Sequence, residues 1–135
     1  AGGPILLRDG RVGNNMASEE FFGWVPPVTF SKDATGGLNL LPRHAWGINE
    51  QSGEVFAVAV DGRNPDYSVG ATLENMGQLL SELGATVALN LDGGSSIRMV
   101  VRGKRVDASQ TGIQINSEEP VAIRPVWSGI LISSR

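Results

Sequence analysis

The sequence predicts an α+β (or α/β) fold: a mixed β-sheet with at least one packed helix, about residues 72–83, and several hairpins. Three observations predict it. Eighteen glycines and seven prolines among 135 residues exceed the average of roughly 12% for the two together, so the elements are short and joined by tight turns. Only one segment shows clear helical spacing. Two apolar runs, at 55–60 and 85–91, each end abruptly at Asp-Gly, as strands covered on both faces do when they stop at the rim of a sheet.

The elements follow in chain order. Residues 4–12 form a small hairpin, because Ile5-Leu6-Leu7 is followed by Asp9-Gly10, a strong type I′ turn pair, and then by Arg11-Val12. Residues 13–41 have no clean period. They hold Phe21, Phe22, Trp24, Phe30 and Pro26-Pro27 and are read as a long irregular loop pinned by its aromatics. A strand is expected at 45–48 and another at 55–60. Thr72 is the helix N-cap, its hydroxyl accepting from an orphan backbone N–H. Leu73, Met76, Leu80 and Leu83 form the buried stripe, widened by Leu79, and Gly84 is the left-handed stop. A second buried strand covers 85–91. Alternation of Ile97, Met99 and Val101 with Arg98, Val100 and Arg102 predicts a half-exposed strand with Arg98 in solvent. Residues 107–120 read as polar loop and 126–132 as the last strand. The strand–helix–strand unit at 55–91 favours a right-handed crossover joining parallel strands.

Composition excludes several classes of function. The net charge is −3, with 11 basic and 14 acidic residues and no basic run longer than two, which disfavours sequence-independent nucleic-acid binding, since that normally needs a basic face. No apolar run approaches the roughly 20 residues of a membrane-spanning helix. The chain has no cysteine, which removes disulfides, thiolate metal sites and cysteine nucleophiles. With 41% hydrophobic residues, the chain is too apolar for intrinsic disorder.

The chemistry concentrates at the two strand ends. If the strands run parallel, Asp61 and Asp92 share one rim, where ligands of open sheets bind. Two carboxylates there suit glycosidic hydrolysis, one protonating the leaving oxygen and the other activating water or attacking. They could equally hold a divalent cation, or each simply cap its own turn. Gly93-Gly94-Ser95-Ser96 can offer backbone N–H groups and hydroxyls to an anion, or be a plain turn. It matches neither a Walker loop, nor a dinucleotide fingerprint, nor a nucleophile elbow. Arg43, Arg63 and Arg124 could each hold a phosphate bidentately or pair with a carboxylate. The lone histidine, His44, reads as an ordinary hydrogen-bonding residue. Trp46 and Trp127 could stack on a sugar face, yet tryptophans in strands are more often core.

The segments Pro42-Arg43-His44-Ala45-Trp46-Gly47, Val60-Asp61-Gly62-Arg63, Ser68-Val69-Gly70-Ala71-Thr72, Leu83-Gly84-Ala85, Ala88 through Ser96 and Arg124-Pro125-Val126 stand in the order and spacing of the phosphodiester glycosidase family, which the chain resembles. The resemblance covers about residues 42–132, with an echo in Gly3-Pro4-Ile5-Leu6-Leu7. It implies a hydrolase that cleaves a sugar-1-phosphodiester to free sugar and phosphomonoester. Carried over, Asp61, Asp92 and Arg43 are the implied catalytic residues. Gly62, Arg63, Ser68, Gly70, Gly93, Gly94, Ser95, Ser96 and Arg124 are the implied substrate-binding residues. No cofactor is implied, and the expected partner is a carbohydrate phosphodiester rather than nucleic acid or membrane. Ser95 stands where the family often has a third glycine, His44 where it has Thr or Ser, and Ser128 where it has Asn. Family domains carry more chain ahead of the Gly3–Leu7 segment, so residues 1–135 read as one domain lacking the family's N-terminal part. An extracytoplasmic location is also implied. The alternative reading is a binding module for sugar phosphates or cell-wall glycan without turnover.

Overall fold

The computed structural model describes residues 3–13, 38–106, 125, 126 and 128–133. The segment at 13–41 falls outside this set apart from Gly13 and residues 38–41, as do the 107–120 loop, Arg124 and Trp127.

The first hairpin forms as its turn chemistry dictates. Strand β1 (Ile5–Arg8) pairs antiparallel with β2 (Arg11–Val12). Asp9 and Gly10 both take positive φ, 52° and 71°, the geometry of a type I′ turn. Pairing of β1 with its other neighbour shifts register between Ile5 and Leu7, an irregularity that lets the consecutive Leu6 and Leu7 both be buried. Strand β3 (Arg43–Ile48) runs antiparallel to β4 (Val55–Val60) over its whole length, Arg43 opposite Val60 and Ile48 opposite Val55. Helix α1 (Leu73–Glu82) leads to β5 (Val87–Asn90). A single 3₁₀ turn at Gly94–Ser96 precedes a small separate hairpin of β6 (Val100–Val101) and β7 (Lys104–Arg105).

The main sheet has the order β2-β1-β5-β3-β4. The α+β class is the one observed, and every hydrogen-bonded neighbour pair in it is antiparallel. The expected strand–helix–strand unit exists, but β4 and β5 are not neighbours. Each pairs antiparallel with β3, which lies between them. The two therefore point the same way.

Helix α1 is built from local signals. Thr72 Oγ1 accepts from Asn75 N at 3.1 Å, and the Asn75 side chain accepts from Thr72 N at 3.1 Å. This is a reciprocal capping box with Asn in place of the usual Glu or Gln. Gly84 at φ 100° ends the helix. Leu73, Met76 and Leu80 are fully buried against Leu6, Leu7, Ala45 and Ala88. Burying each such side chain contributes roughly 1.5–3 kcal/mol. Gly77 allows close contact: a Cβ there would meet Val12 Cγ1 at 2.9 Å and Leu6 O at 3.0 Å.

Several expectations need correction. Leu83 caps the helix and is 47% exposed rather than part of the stripe. Strand β4 is an edge strand, not one covered on both faces. Phe56, Val58 and Val60 pack on the core, while Val55 on the alternate face is 55% exposed. The strand expected from Ile97 onward shrinks to Val100–Val101, with Ile97 buried just ahead of it. The described residues of 126–132 form no strand, and Leu131 is 91% exposed.

Candidate functional site

The site is assembled around the short stretch that enters β3. Leu41 and Ala71 form an isolated bridge, each amide donating to the other's carbonyl at 3.2 and 3.0 Å. On the other side, Gly94 N donates to Pro42 O at 2.9 Å and Leu91 N to His44 O at 2.7 Å. Leu41–Pro42–Arg43 thus runs between the loop after β4 and the loop after β5. Asp61 and Asp92, one residue beyond Val60 and two beyond Asn90, leave the sheet at the end where β3 begins. The two carboxylate residues therefore share a rim, as expected if the strands point the same way. Asp92 is exposed and Asp61 half-buried.

Three of the glycines serve this convergence. A Cβ at Gly62 would sit 2.7 Å from Pro42 N. At Gly70, whose φ is 105°, it would sit 2.6 Å from Leu41 C and O. At Gly93 it would sit 2.8 Å from Pro42 O. All of these are backbone atoms, which cannot swing aside. These glycines let three stretches of backbone pack together.

The remaining candidates sort by what they touch. Arg43 is 3% exposed. Its Nε donates to Ala71 O at 2.9 Å and its Nη2 to Asn39 O at 3.0 Å, so the guanidinium ties the rim loops together. Ser68 Oγ donates to Asp61 O at 2.6 Å and fixes the backbone that carries the first carboxylate. The loop between them closes through Ser68 N to Asn64 O at 2.7 Å and Asn64 N to Ser68 O at 3.0 Å. Arg63, at φ 60°, is exposed and reaches across to the second loop. Its Nη2 lies 3.3 Å from where a Gly94 Cβ would stand. The amides of Gly94 and Ser96 are engaged within the fold, the latter by Gly93 O at 3.2 Å. Ser95 and Ser96 are half-buried on the same turn. Arg124 lies outside the described residues.

His44 accepts from Trp46 Nε1 through its Nε2 at 3.2 Å. Both residues lie on the sheet face opposite α1, and burial pulls the imidazole below its ordinary 6.5. Trp46 is half-buried rather than core. Among the described residues no group of three or more His, Asp or Glu side chains gathers to hold a metal ion. Nor is any of their helices long and apolar enough to cross a membrane.

Sequence reasoning placed Arg98 in solvent. It is half-buried, with Nη1 donating to Ile97 O. The signal that could have placed it correctly is the buried Ile97 before it, which draws the chain inward directly after the glycine turn.

No curated protein matches the chain significantly. Among solved structures, a hypothetical protein from Synechocystis is 33% identical over 79% of this chain, with a TM-score of 0.59. A protein from Burkholderia pseudomallei described as "Putative exported protein" is 40% identical over 54% of this chain, with a TM-score of 0.51. The chain spans only 17% and 14% of the lengths of those two. The sequence model of the phosphodiester glycosidase family matches residues 1–133. With the matched residues covering nearly the whole chain, including both Asp-Gly strand ends, the chain belongs to the phosphodiester glycosidase family.

Proposed function

We propose that the chain supplies the carboxylate rim of a hydrolase that cleaves the glycosidic bond of a sugar-1-phosphodiester, giving free sugar and a phosphomonoester. The observation that carries this reading is the placement of Asp61 and Asp92 at one end of the sheet, with the Arg63 guanidinium laid against Gly94 beside them. In such a cleavage one carboxyl group protonates the leaving oxygen as the anomeric C–O bond breaks, and the other takes a proton from the water that bonds to the anomeric carbon, or attacks that carbon itself before water releases the sugar. The leaving group is a phosphate, and a guanidinium is the side chain that best stabilises its charge. Ser95 and Ser96 contribute hydroxyls on the same turn. Ser68 and Arg43 act on the reaction through position, Ser68 by holding the Asp61 carbonyl and Arg43 by tying the segments at Asn39 and Ala71 together. The family's match supports the reaction class. Extracytoplasmic residence is the matching proposal for location, supported by the similar Burkholderia pseudomallei structure described as "Putative exported protein".

The experiment is release of free sugar from a panel of sugar-1-phosphodiesters by the protein and by Asp61→Asn and Asp92→Asn. Both substitutions are expected to abolish turnover and leave the fold intact. A folded parent that binds sugar phosphates without releasing sugar would replace this reading with the non-catalytic binding module. Full turnover in Asp92→Asn would remove Asp92 from the chemistry.

A further inference from the structure

Arg98 follows the turn Gly94–Ser96, and part of its guanidinium finds no acceptor among the described residues. Its Nη1 donates to the carbonyl of its own neighbour, Ile97. Its Nε and Nη2 are buried and have no hydrogen-bond partner among the described residues. A buried guanidinium edge without acceptors is a costly arrangement, so native structures supply a partner or use the group. The unused pair is specific in shape. Nε–H and Nη2–H lie on one edge of the guanidinium plane and point the same way, at the spacing of two oxygens of a phosphate or carboxylate.

Its position connects this edge to the site. Arg98 follows directly on the turn Gly94–Ser96, two residues past Ser96, and Ile97 between them is 2% exposed and anchors the connection. The guanidinium of Arg63 lies against the first residue of that turn. One short turn thus has an arginine against its start and another just beyond its end, with the Ser95 and Ser96 hydroxyls between. Arg98 as a whole is half-buried.

We propose that Arg98 is an oxyanion-binding residue of this site, its Nε–Nη2 edge taking two oxygens of one anionic group, a phosphate or a carboxylate. The inference rests on the proposed function only for which molecule carries that group.

The test uses inorganic phosphate and, separately, acetate at matched ionic strength, titrated calorimetrically into the protein, Arg98→Gln and Arg98→Lys. Binding of one anion is expected to weaken about tenfold or more in both variants, since lysine keeps the charge but not the two-donor edge. The anion so affected identifies the group. The Arg98 Nε–H resonance of the unmodified protein is followed through the same titration, which keeps the test decisive if a variant fails to fold. It is expected to shift and saturate with the calorimetric isotherm. Equal affinity in parent and Arg98→Gln, an unmoved resonance, or no binding of either anion would overturn the proposal. Loss of phosphate binding in Arg98→Gln by a parent that turns over no sugar-1-phosphodiester would sustain the anion site while ending the hydrolase reading. Turnover with affinity unaffected by Arg98→Gln would do the reverse.

Discussion

Substituting Gly93 by alanine tests whether the site glycines pack backbone on backbone. The φ of Gly93 is −118°, so alanine meets no intrinsic conformational penalty there. Any cost comes from the new methyl group, which would lie 2.8 Å from Pro42 O. That carbonyl is fixed at the entry to β3 and already accepts from Gly94 N at 2.9 Å. Relief requires the loop after β5 to move off Pro42. Overpacking of this kind costs about 1–3 kcal/mol, and losing the Gly94 amide bond adds about 1 kcal/mol, giving a total near 3 kcal/mol. Gly94→Ala, one residue on, is the control. Its φ of 60° costs alanine about 1–2 kcal/mol. Its nearest neighbour is the end of the exposed Arg63 side chain at 3.3 Å, which can swing away. The assay is urea denaturation followed by circular dichroism. With a slope of roughly 2 kcal/mol per molar, Gly93→Ala is expected to lower the midpoint by about 1.5 M and Gly94→Ala by about half as much. A midpoint for Gly93→Ala equal to that of the parent, or lying above that of Gly94→Ala, would refute the packing account.

Arg43→Lys is expected to lower the stability by about 1.5–3 kcal/mol, because a single ammonium cannot serve Ala71 O and Asn39 O together as the guanidinium does. An unchanged urea midpoint would show that Arg43 is not a structural tie. For His44 the sign follows from its lowered folded-state pKa. The unfolded chain binds the proton more readily, so unfolding free energy is fully present above pH 6.5 and falls as pH drops below it. Comparing urea midpoints at pH 7.5, 6.5 and 5.5 in the protein and in His44→Gln is expected to show a shallower fall in the variant. Equal slopes would remove His44 as the source.

The helix was legible because its signals are local. Thr72, the apolar spacing of Leu73, Met76 and Leu80, and Gly84 all lie within thirteen residues, and the cap contacts of Thr72 are themselves local. The same spacing misled at Leu83, where the chain has already left the stripe to form the cap. Strand β4 shows a different limit. An apolar run states how hydrophobic a segment is but not how many neighbours the sheet gives it. Val55–Val60 looks doubly covered in sequence, yet only its alternate members Phe56, Val58 and Val60 reach the core. Arg98 was misplaced for a related reason, since alternation assumes a strand and the chain at 97–99 is not one. The carboxylates were legible as a pair, whereas the function of the glycines was not. Gly62, Gly70 and Gly93 find their reason in Leu41 and Pro42, 20 to 51 positions away in the chain, and no local pattern encodes that meeting.

How the two carboxylates reach the same rim follows from parity and length rather than from the Asp-Gly motifs themselves. Both β4 and β5 pair antiparallel with β3, so two reversals leave them pointing the same way. The chain leaving β4 beside Arg43 must return to the far end of the sheet before β5 can begin. Six residues of β4 extend about 20 Å at roughly 3.3 Å per residue. The ten residues of α1 cover about 15 Å at roughly 1.5 Å each, and the turns at Thr72 and Gly84 span the remainder. A helix a full turn shorter would leave the return about 5 Å short, and β5 could not keep Asn90 opposite Ala45. The register that places Gly93 and Gly94 beside Pro42 therefore depends on the length of the helix packed on the core. The buried stripe of Leu73, Met76 and Leu80, read first as a packing feature, is also what fixes the geometry of the site.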